Sequence, residues 1–172
     1  MTADDLISPE LVSEARAAIV QYADARRRFR AVQERLKAAG LLVGNDNKVG
    51  VIGEFWAIQD YRARGFRLQR VPPHTNNAGF DFVVSKVDVP IKVSVKAITA
   101  ENSRGKTSLV HANGDWDELC IVQMDEILEP VRFGCATKEQ FLLRFGDAAA
   151  QRPANVRWLD QGWMSVWPKG SV

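Results

Sequence analysis

Apolar and polar residues alternate on both sides of a short polar turn between positions 79 and 97. The apolar members of this alternation are Phe80, Phe82, Val84, Ile91, Val93, Val95 and Ala97. A period of two is typical of a β-strand with one buried face. The stretch therefore predicts a β-hairpin whose turn lies at residues 86–89.

The length of this turn fixes the register of the predicted hairpin. A turn closed by residues 86 and 89 pairs Val83 with Lys92, Asp81 with Ser94, and Gly79 with Lys96. Directly opposed residues share a face of the sheet, as do residues two apart on one strand. Asp81, Ser94 and Lys96 are therefore expected on one face, and a slip of one residue would send Asp81 to the other.

A second candidate acid lies upstream, in a stretch that predicts a helix over residues 49–61. Glu54 faces the same way as Ala57, Ile58 and Tyr61, because residues three and four apart lie on one side of a helix. Solvent exposure does not explain a charged residue inside such an apolar stripe. Glu54 is therefore a candidate functional residue.

The order of these elements resembles the core of the PD-(D/E)XK nucleases, which have the restriction-endonuclease-like fold. The resemblance covers residues 49–125, and twelve residues separate Asp81 from the tripeptide Ser94-Val95-Lys96. Its ordered parts are a helix with a glutamate, a strand at 66–71, a Gly-Phe-Asp strand, an X-Val-Lys strand and an apolar strand at 118–125. It implies an α/β fold of the α+β type, in which helices flank a central mixed β-sheet, here preceded by a long N-terminal helix.

The resemblance also implies roles for individual residues. Asp81 corresponds to the first acid of the family, Lys96 to its lysine and Glu54 to the glutamate on the preceding helix. The acids of such enzymes hold Mg2+ or Mn2+, and the lysine orients or polarises the attacking water. The implied metal ligands are therefore Glu54, Asp81 and the carbonyl group of Val95.

Ser94 stands where the family has its second acid, or a glutamine in some branches. A hard cation such as Mg2+ prefers oxygen ligands, usually one or two carboxylates together with water. A serine hydroxyl is a neutral oxygen, so the implied site lacks one full negative charge. The chain must recover that charge elsewhere, for which Glu54 is the candidate, or bind the metal weakly.

The first 44 residues predict a long helix that precedes a nuclease-like domain at 45–172. Ser8 is the expected N-cap and Pro9 the first helical residue, with the end near Ala39. Apolar residues repeat with spacings of four and three at Leu11, Ala15, Ala18, Tyr22, Ala25, Phe29, Val32 and Leu36. Such a heptad seam packs either on the chain's own core or on a second copy in a homodimer.

Basic residues offer candidate contacts to nucleic acid. They are Arg27 and Arg30 on the long helix, Lys92 in the hairpin, and Arg104 and Lys106 in the loop after it. The guanidinium group suits phosphate recognition. Most charged runs are instead solvated faces, so both interpretations stay open.

Composition adds broad limits. The formal net charge of +2 neither requires nor opposes a nucleic-acid partner. Cys120 and Cys135 have no metal-ligand spacing and are expected to be reduced core thiols. The sequence shows no export signal and no apolar run of membrane-spanning length, which favours a cytoplasmic protein.

Three functions follow from these patterns. The first is a divalent-metal-dependent nuclease that hydrolyses DNA phosphodiester bonds. The second is a degenerate nuclease-fold module that lost catalysis at Ser94 and binds nucleic acid or a protein partner. The third is a dimeric interaction protein built on the N-terminal helix. A fourth interpretation needs no function, since the polar residues of the hairpin can form the solvated face of an antiparallel sheet.

Overall fold

A computed structural model describes residues 8–38, 49–70, 79–99, 109–146 and 151–169. The α-helices in this part of the chain are α1 (Pro9–Ala38), α2 (Val49–Ala63) and α3 (Lys138–Phe145). The strands are β1 (Arg67–Arg70), β2 (Phe82–Lys86), β3 (Val89–Thr99), β4 (Leu109–Val110), β5 (Glu118–Met124), β6 (Pro130–Thr137), β7 (Arg152–Pro153) and β8 (Ser165–Pro168). None of the helices in these ranges is both long and apolar enough to span a membrane.

The described strands form one large mixed sheet and one small sheet. The large sheet has six strands in the order β1-β2-β3-β5-β6-β8, while β4 pairs with β7. β3 runs parallel to β5, and the other neighbours in the large sheet are antiparallel. The predicted α/β class, with a central mixed sheet, helices and a long N-terminal helix, is confirmed.

The hairpin formed by β2 and β3 has the predicted register. Val83 pairs with Lys92, and Phe82 pairs with Val93. The turn has Val87 at φ 54° and Asp88 at φ 62°, as a two-residue turn with two left-handed residues requires. β3 continues to Thr99, well beyond the residues that pair with β2.

One face of the sheet packs against α2 in a first hydrophobic core. The hairpin contributes Phe82, Val84, Val93 and Val95. The helix contributes Ile52, Trp56, Ala57 and Tyr61. Ala57 and Tyr61 are fully buried and Ile58 packs at the margin, so the apolar stripe beside Glu54 is confirmed.

The opposite face is covered by a second hydrophobic core. Ile98 on β3 packs with Leu119 and Ile121 on β5, and Phe141 on α3 and Trp158 belong to the same core. Ser94 pairs with Leu119 and Lys96 with Ile121, so the polar residues of β3 lie on this side. This side is therefore not a simple solvated polar face, because Phe141 of α3 and Trp158 pack there with Ile98.

Helix α1 packs on the first core through Ile19, Tyr22 and Ala23, of which Tyr22 belongs to the predicted seam. Its N-cap is confirmed, because the Leu11 amide donates to the Ser8 hydroxyl at 3.2 Å. Ala23 is buried and Ile19 and Tyr22 pack beside it, whereas the seam residue Leu11 is 50% exposed. The seam positions Phe29, Val32 and Leu36 lie outside the described side chains. Dimerisation through this helix stays a prediction.

The C-terminal part closes the far edge of the large sheet. Thr137 and Gln140 form the capping box of α3, and β8 pairs with β6. The ring of Trp167 stacks on Phe133 with centroids 6.4 Å apart. Cys120 and Cys135 are both free and buried, as predicted.

Gly53 sets the distance between α2 and the sheet. A Cβ at Gly53 would lie 2.4 Å from the Cβ of Ala97, whereas a Cβ at Gly50 would meet nothing within 4 Å. We expect Gly53→Ala to lower the free energy of unfolding by about 1–3 kcal/mol, because it overpacks this contact. Gly50→Ala is the matched control and should raise it by about 0.5–1 kcal/mol, because alanine favours the helix. Urea unfolding measures both changes.

The double variant Gly53→Ala/Ala97→Gly checks the cause. Removing the Ala97 methyl restores room for the new one, so the two substitutions should couple favourably by at least about 0.5 kcal/mol. Strictly additive losses would show that the helix-to-strand contact does not explain the effect.

Candidate active site at the end of the hairpin

The carboxylate of Asp81 caps β3 where β2 begins. The Asp81 amide donates to the Val93 carbonyl at 2.8 Å. The Val95 amide donates to Asp81 Oδ2 at 2.5 Å. Because β2 starts at Phe82, this carboxylate takes the place of a strand partner for Val95. Two hydrogen bonds therefore hold Asp81, one from its backbone to Val93 and one from Val95 to its side chain, and Ser94 lies between these two residues.

Lys96 lies one residue beyond the amide that Asp81 holds. It is half-buried on the side of the second core, where it pairs with Ile121. Within the described part of the chain, the Lys96 ammonium makes no hydrogen bond and no ion pair. It is not among the buried polar atoms that lack a partner, because a lysine can pack its aliphatic stem and keep its ammonium in contact with solvent. The ammonium is therefore available to a ligand beside the fixed carboxylate of Asp81.

Ser94 stands between these two groups and is only 5% exposed. It pairs with Leu119 on β5, so its side chain lies on the face that also contains Lys96. The structure therefore brings Asp81, Ser94, Val95 and Lys96 together at one end of the hairpin.

Glu54 lies on α2, which packs on the other face of the sheet. It is half-buried on α2, and the neighbouring Gly53 lies against Ala97. α2 packs on the first core, whereas Lys96 lies on the side of the second. The structure therefore places Glu54 on the opposite side of the sheet from Lys96, and the described pairs of β2 with β3 end at Val93 between them.

Lys92, which the sequence predicts as a nucleic-acid contact, forms an ion pair within the chain. Its ammonium donates to Asp115 at 2.7 Å, and its amide donates to Asp117 at 2.8 Å. The hydrogen bond to Asp115 raises the pKa of Lys92. A Cβ at Gly79 would lie 2.6 Å from the Asp115 amide. Asp115, the partner of Lys92, therefore packs directly against Gly79, two residues before Asp81.

Sequence reasoning missed Asp115 and Asp117. Their partner Lys92 lies more than twenty positions earlier in the chain, so no local period connects them. The sequence feature that could have pointed to Asp117 is its position directly before the apolar strand β5.

The remaining predicted basic residues are not brought to Asp81 by the described structure. Arg27 and Arg30 are exposed on α1, and α1 packs on the α2 side of the sheet. Arg27 lies 3.7 Å from Asp24. Arg104 and Lys106 lie outside the described residues.

A buried polar cluster beneath the hairpin is structural. The Tyr61 hydroxyl donates to Glu118 and lies 3.3 Å from Cys135 Sγ. Burial raises the pKa of Tyr61 and also that of Cys135, so both stay protonated near neutral pH. These groups link α2 to β5 and β6 and supply no nucleophile.

The donor chemistry at Asp81 fits a hard divalent cation. One carboxylate oxygen accepts the Val95 amide, and an ionised carboxylate has acceptor capacity left for a metal. Mg2+ commonly uses only one or two protein carboxylates and completes its shell with water and phosphate oxygens. Within the described ranges, no group of three or more histidine, cysteine or acidic residues is arranged to hold a metal ion. Asp81 and Glu54 would therefore supply the protein charge at such a site.

Comparison with known families and with curated proteins gives no assignment for the chain. No protein-family model matches the chain, and no curated protein matches its sequence.

The cap on Val95 predicts a stability difference between two substitutions of Asp81. Asp81→Ala removes the acceptor of a buried amide and should lower the free energy of unfolding by about 1–3 kcal/mol. Asp81→Asn keeps a neutral oxygen that can accept the same hydrogen bond, so its loss should be clearly smaller. Urea unfolding of the two variants tests this, and equal losses would rule out the capping role.

Proposed function

We propose that the chain is a divalent-metal-dependent nuclease that hydrolyses DNA phosphodiester bonds, of the PD-(D/E)XK kind. The main support is the fixed position of the Asp81 carboxylate on the Val95 amide, one residue from the unpartnered Lys96. A carboxylate and an ammonium at the open end of one hairpin are the groups that metal-assisted hydrolysis of a phosphodiester needs.

Asp81 and Glu54 are the proposed metal ligands, with the Val95 carbonyl as a neutral third. When bound there, a divalent cation neutralises charge on the scissile phosphate and lowers the pKa of water. The hydrogen bond from the Val95 amide holds Asp81 in one orientation, so little rearrangement is needed on binding. Glu54 supplies the second charge from α2, which Gly53 brings close to β3.

Lys96 is proposed to act on the attacking water and the phosphate. Its ammonium is a point charge with three donors and has no protein partner in the described structure. It can donate to a phosphate oxygen and orient a water molecule for attack on phosphorus. Water then forms the new P–O bond and gives up a proton to solvent, while the bond to the leaving sugar oxygen breaks and that oxygen takes a proton from solvent.

Cleavage of labelled DNA in Mg2+ or Mn2+ tests this proposal. We expect the unchanged chain to cleave, and Asp81→Asn and Lys96→Met each to reduce the rate at least about 100-fold, because each removes a charge placed for the transition state. Glu54→Gln should weaken metal dependence, so that more Mg2+ is needed for half-maximal rate.

The hairpin itself offers matched controls. Asp88→Asn and Lys86→Met make the same chemical changes at exposed positions near the turn, and both should leave the rate unchanged. If these controls lose as much activity as Asp81→Asn and Lys96→Met, or if no metal supports cleavage by the unchanged chain, the proposed function is wrong.

Ser94 gives a test that does not depend on activity. Ser94→Glu places a second carboxylate opposite Asp81 in a buried position, so the melting temperature without metal should fall. Mg2+ at about 100 times its Kd should then raise the melting temperature by about 5 °C or more, and by more than in the unchanged chain. Melting in EDTA and in Mg2+ measures both shifts.

Ser85→Glu is the control for this substitution. Ser85 is similarly buried on the same hairpin, at 3% exposure, but pairs with Pro90 instead of lying beside Asp81. It should lose stability without gaining any from Mg2+. Equal metal effects in the two variants would contradict a metal site at Asp81.

The degenerate module is the second candidate, and Ser94 is the observation that favours it. Serine leaves the site with fewer charges than the family pattern supplies, which weakens metal binding. A chain that binds DNA equally well in EDTA and in Mg2+, and cleaves it in neither, would have this function.

A further inference from the structure

A second group of cations lies on α3 and β7, away from the hairpin. The guanidinium carbons of Arg144 and Arg152 each lie 5.8 Å from the centroid of the Phe145 ring. Both arginines are exposed, and Phe145 is half-buried. Within the described ranges, neither arginine has a carboxylate at ion-pair distance. Two like charges therefore lie at one aromatic ring, and no carboxylate of the described ranges pairs with either of them.

The ring between these arginines is held by other aromatic side chains. The Phe145 centroid lies 4.9 Å from that of Phe141 and 4.9 Å from that of Trp158. Trp163 approaches it edge-on at 5.4 Å. This packing restricts the ring, so the exposed part of Phe145 is held in a fixed orientation.

This cluster, which we term the Arg144–Phe145–Arg152 surface, lies on the Lys96 side of the sheet. Phe145 packs on the second core, to which Ile121 belongs, and Ile121 is the strand partner of Lys96. A ligand that reaches Lys96 from solvent therefore approaches the same face of the molecule.

We infer that the Arg144–Phe145–Arg152 surface binds a single-stranded segment of the DNA substrate. The choice of ligand rests on the proposed function. Guanidinium groups bind phosphate with two parallel donors, and an aromatic ring stacks on any unpaired base. Both guanidinium groups lie 5.8 Å from the ring centroid, so a phosphate bound by either arginine brings its base close to Phe145.

The geometry favours an unpaired strand over a duplex. Bases in a duplex are stacked on each other and present no face to a protein ring, whereas an unpaired base does. Phosphates of a duplex would use the arginines but leave Phe145 unused. The surface therefore selects DNA with a single-stranded region.

Fluorescence anisotropy in EDTA tests this without cleavage, using a labelled single-stranded oligonucleotide and a duplex of the same length over a range of salt concentrations. We expect Arg144→Gln/Arg152→Gln to weaken single-strand binding about tenfold or more. The slope of log affinity against log salt should fall by about 1.4, because each lost phosphate contact removes about 0.7. Phe145→Leu should weaken single-strand binding at least about fivefold while duplex binding changes little.

Arg67→Gln/Lys86→Gln is the matched control. It removes the same charge from exposed residues on β1 and β2, and Lys86 lies over a phenyl ring, 5.2 Å from the Phe66 centroid. This control should bind like the unchanged chain. Equal weakening by both double variants, or no weakening by Arg144→Gln/Arg152→Gln, would overturn the inference.

Binding and cleavage separate this inference from the proposed function. A chain that binds single strands through these arginines but never cleaves refutes the nuclease and keeps the surface. A chain that cleaves and loses activity in Asp81→Asn, but binds single strands equally well with and without the arginines, keeps the nuclease and refutes the surface.

Discussion

The register of the β2–β3 hairpin is the constraint on which the other features depend, because β3 is covered on both faces. Val93 and Val95 belong to one core and Ile98 to the other. A slip of one residue would exchange these sets and place the lysines of β3 against α2. The turn length sets this register, but the turn itself is unfavourable, since Val87 and Asp88 both have positive φ and Val87 is β-branched. Burial on two sides holds the strands in place despite the turn.

Local periodicity predicted what lies within one hairpin and missed what depends on distant segments. The alternation of the hairpin residues is a direct consequence of strand geometry, so its register could be read from the turn length. The second core could not, because Phe141 and Trp158 come from segments far along the chain and share no period with β3. On α1 the predicted repeat includes Tyr22, which packs on the first core, but not its neighbour Ala23. Alanine fits both exposed and buried positions, so the repeat did not identify Ala23 as the buried residue.

The same difference between local and distant contacts applies to the candidate site. Asp81, Ser94 and Lys96 belong to one hairpin, and the sequence placed them together. The side of the sheet on which α2 packs is a tertiary property, and the period of the helix gives no information about it. The ion pair of Lys92 with Asp115 likewise joins two segments that are 23 positions apart, so no local pattern records it.

The contrast between the two neighbours of β3 bears on how the molecule folds. A two-residue turn connects β2 to β3. β5 follows β4 in the chain and pairs with β3 in parallel. Hairpins form in about 1–10 μs, while parallel pairing waits for a longer loop to close. The aspartate and the lysine of the candidate site are therefore aligned in the most local step. The later pairing of β3 with β5 then packs around residues whose relative positions the hairpin has already set.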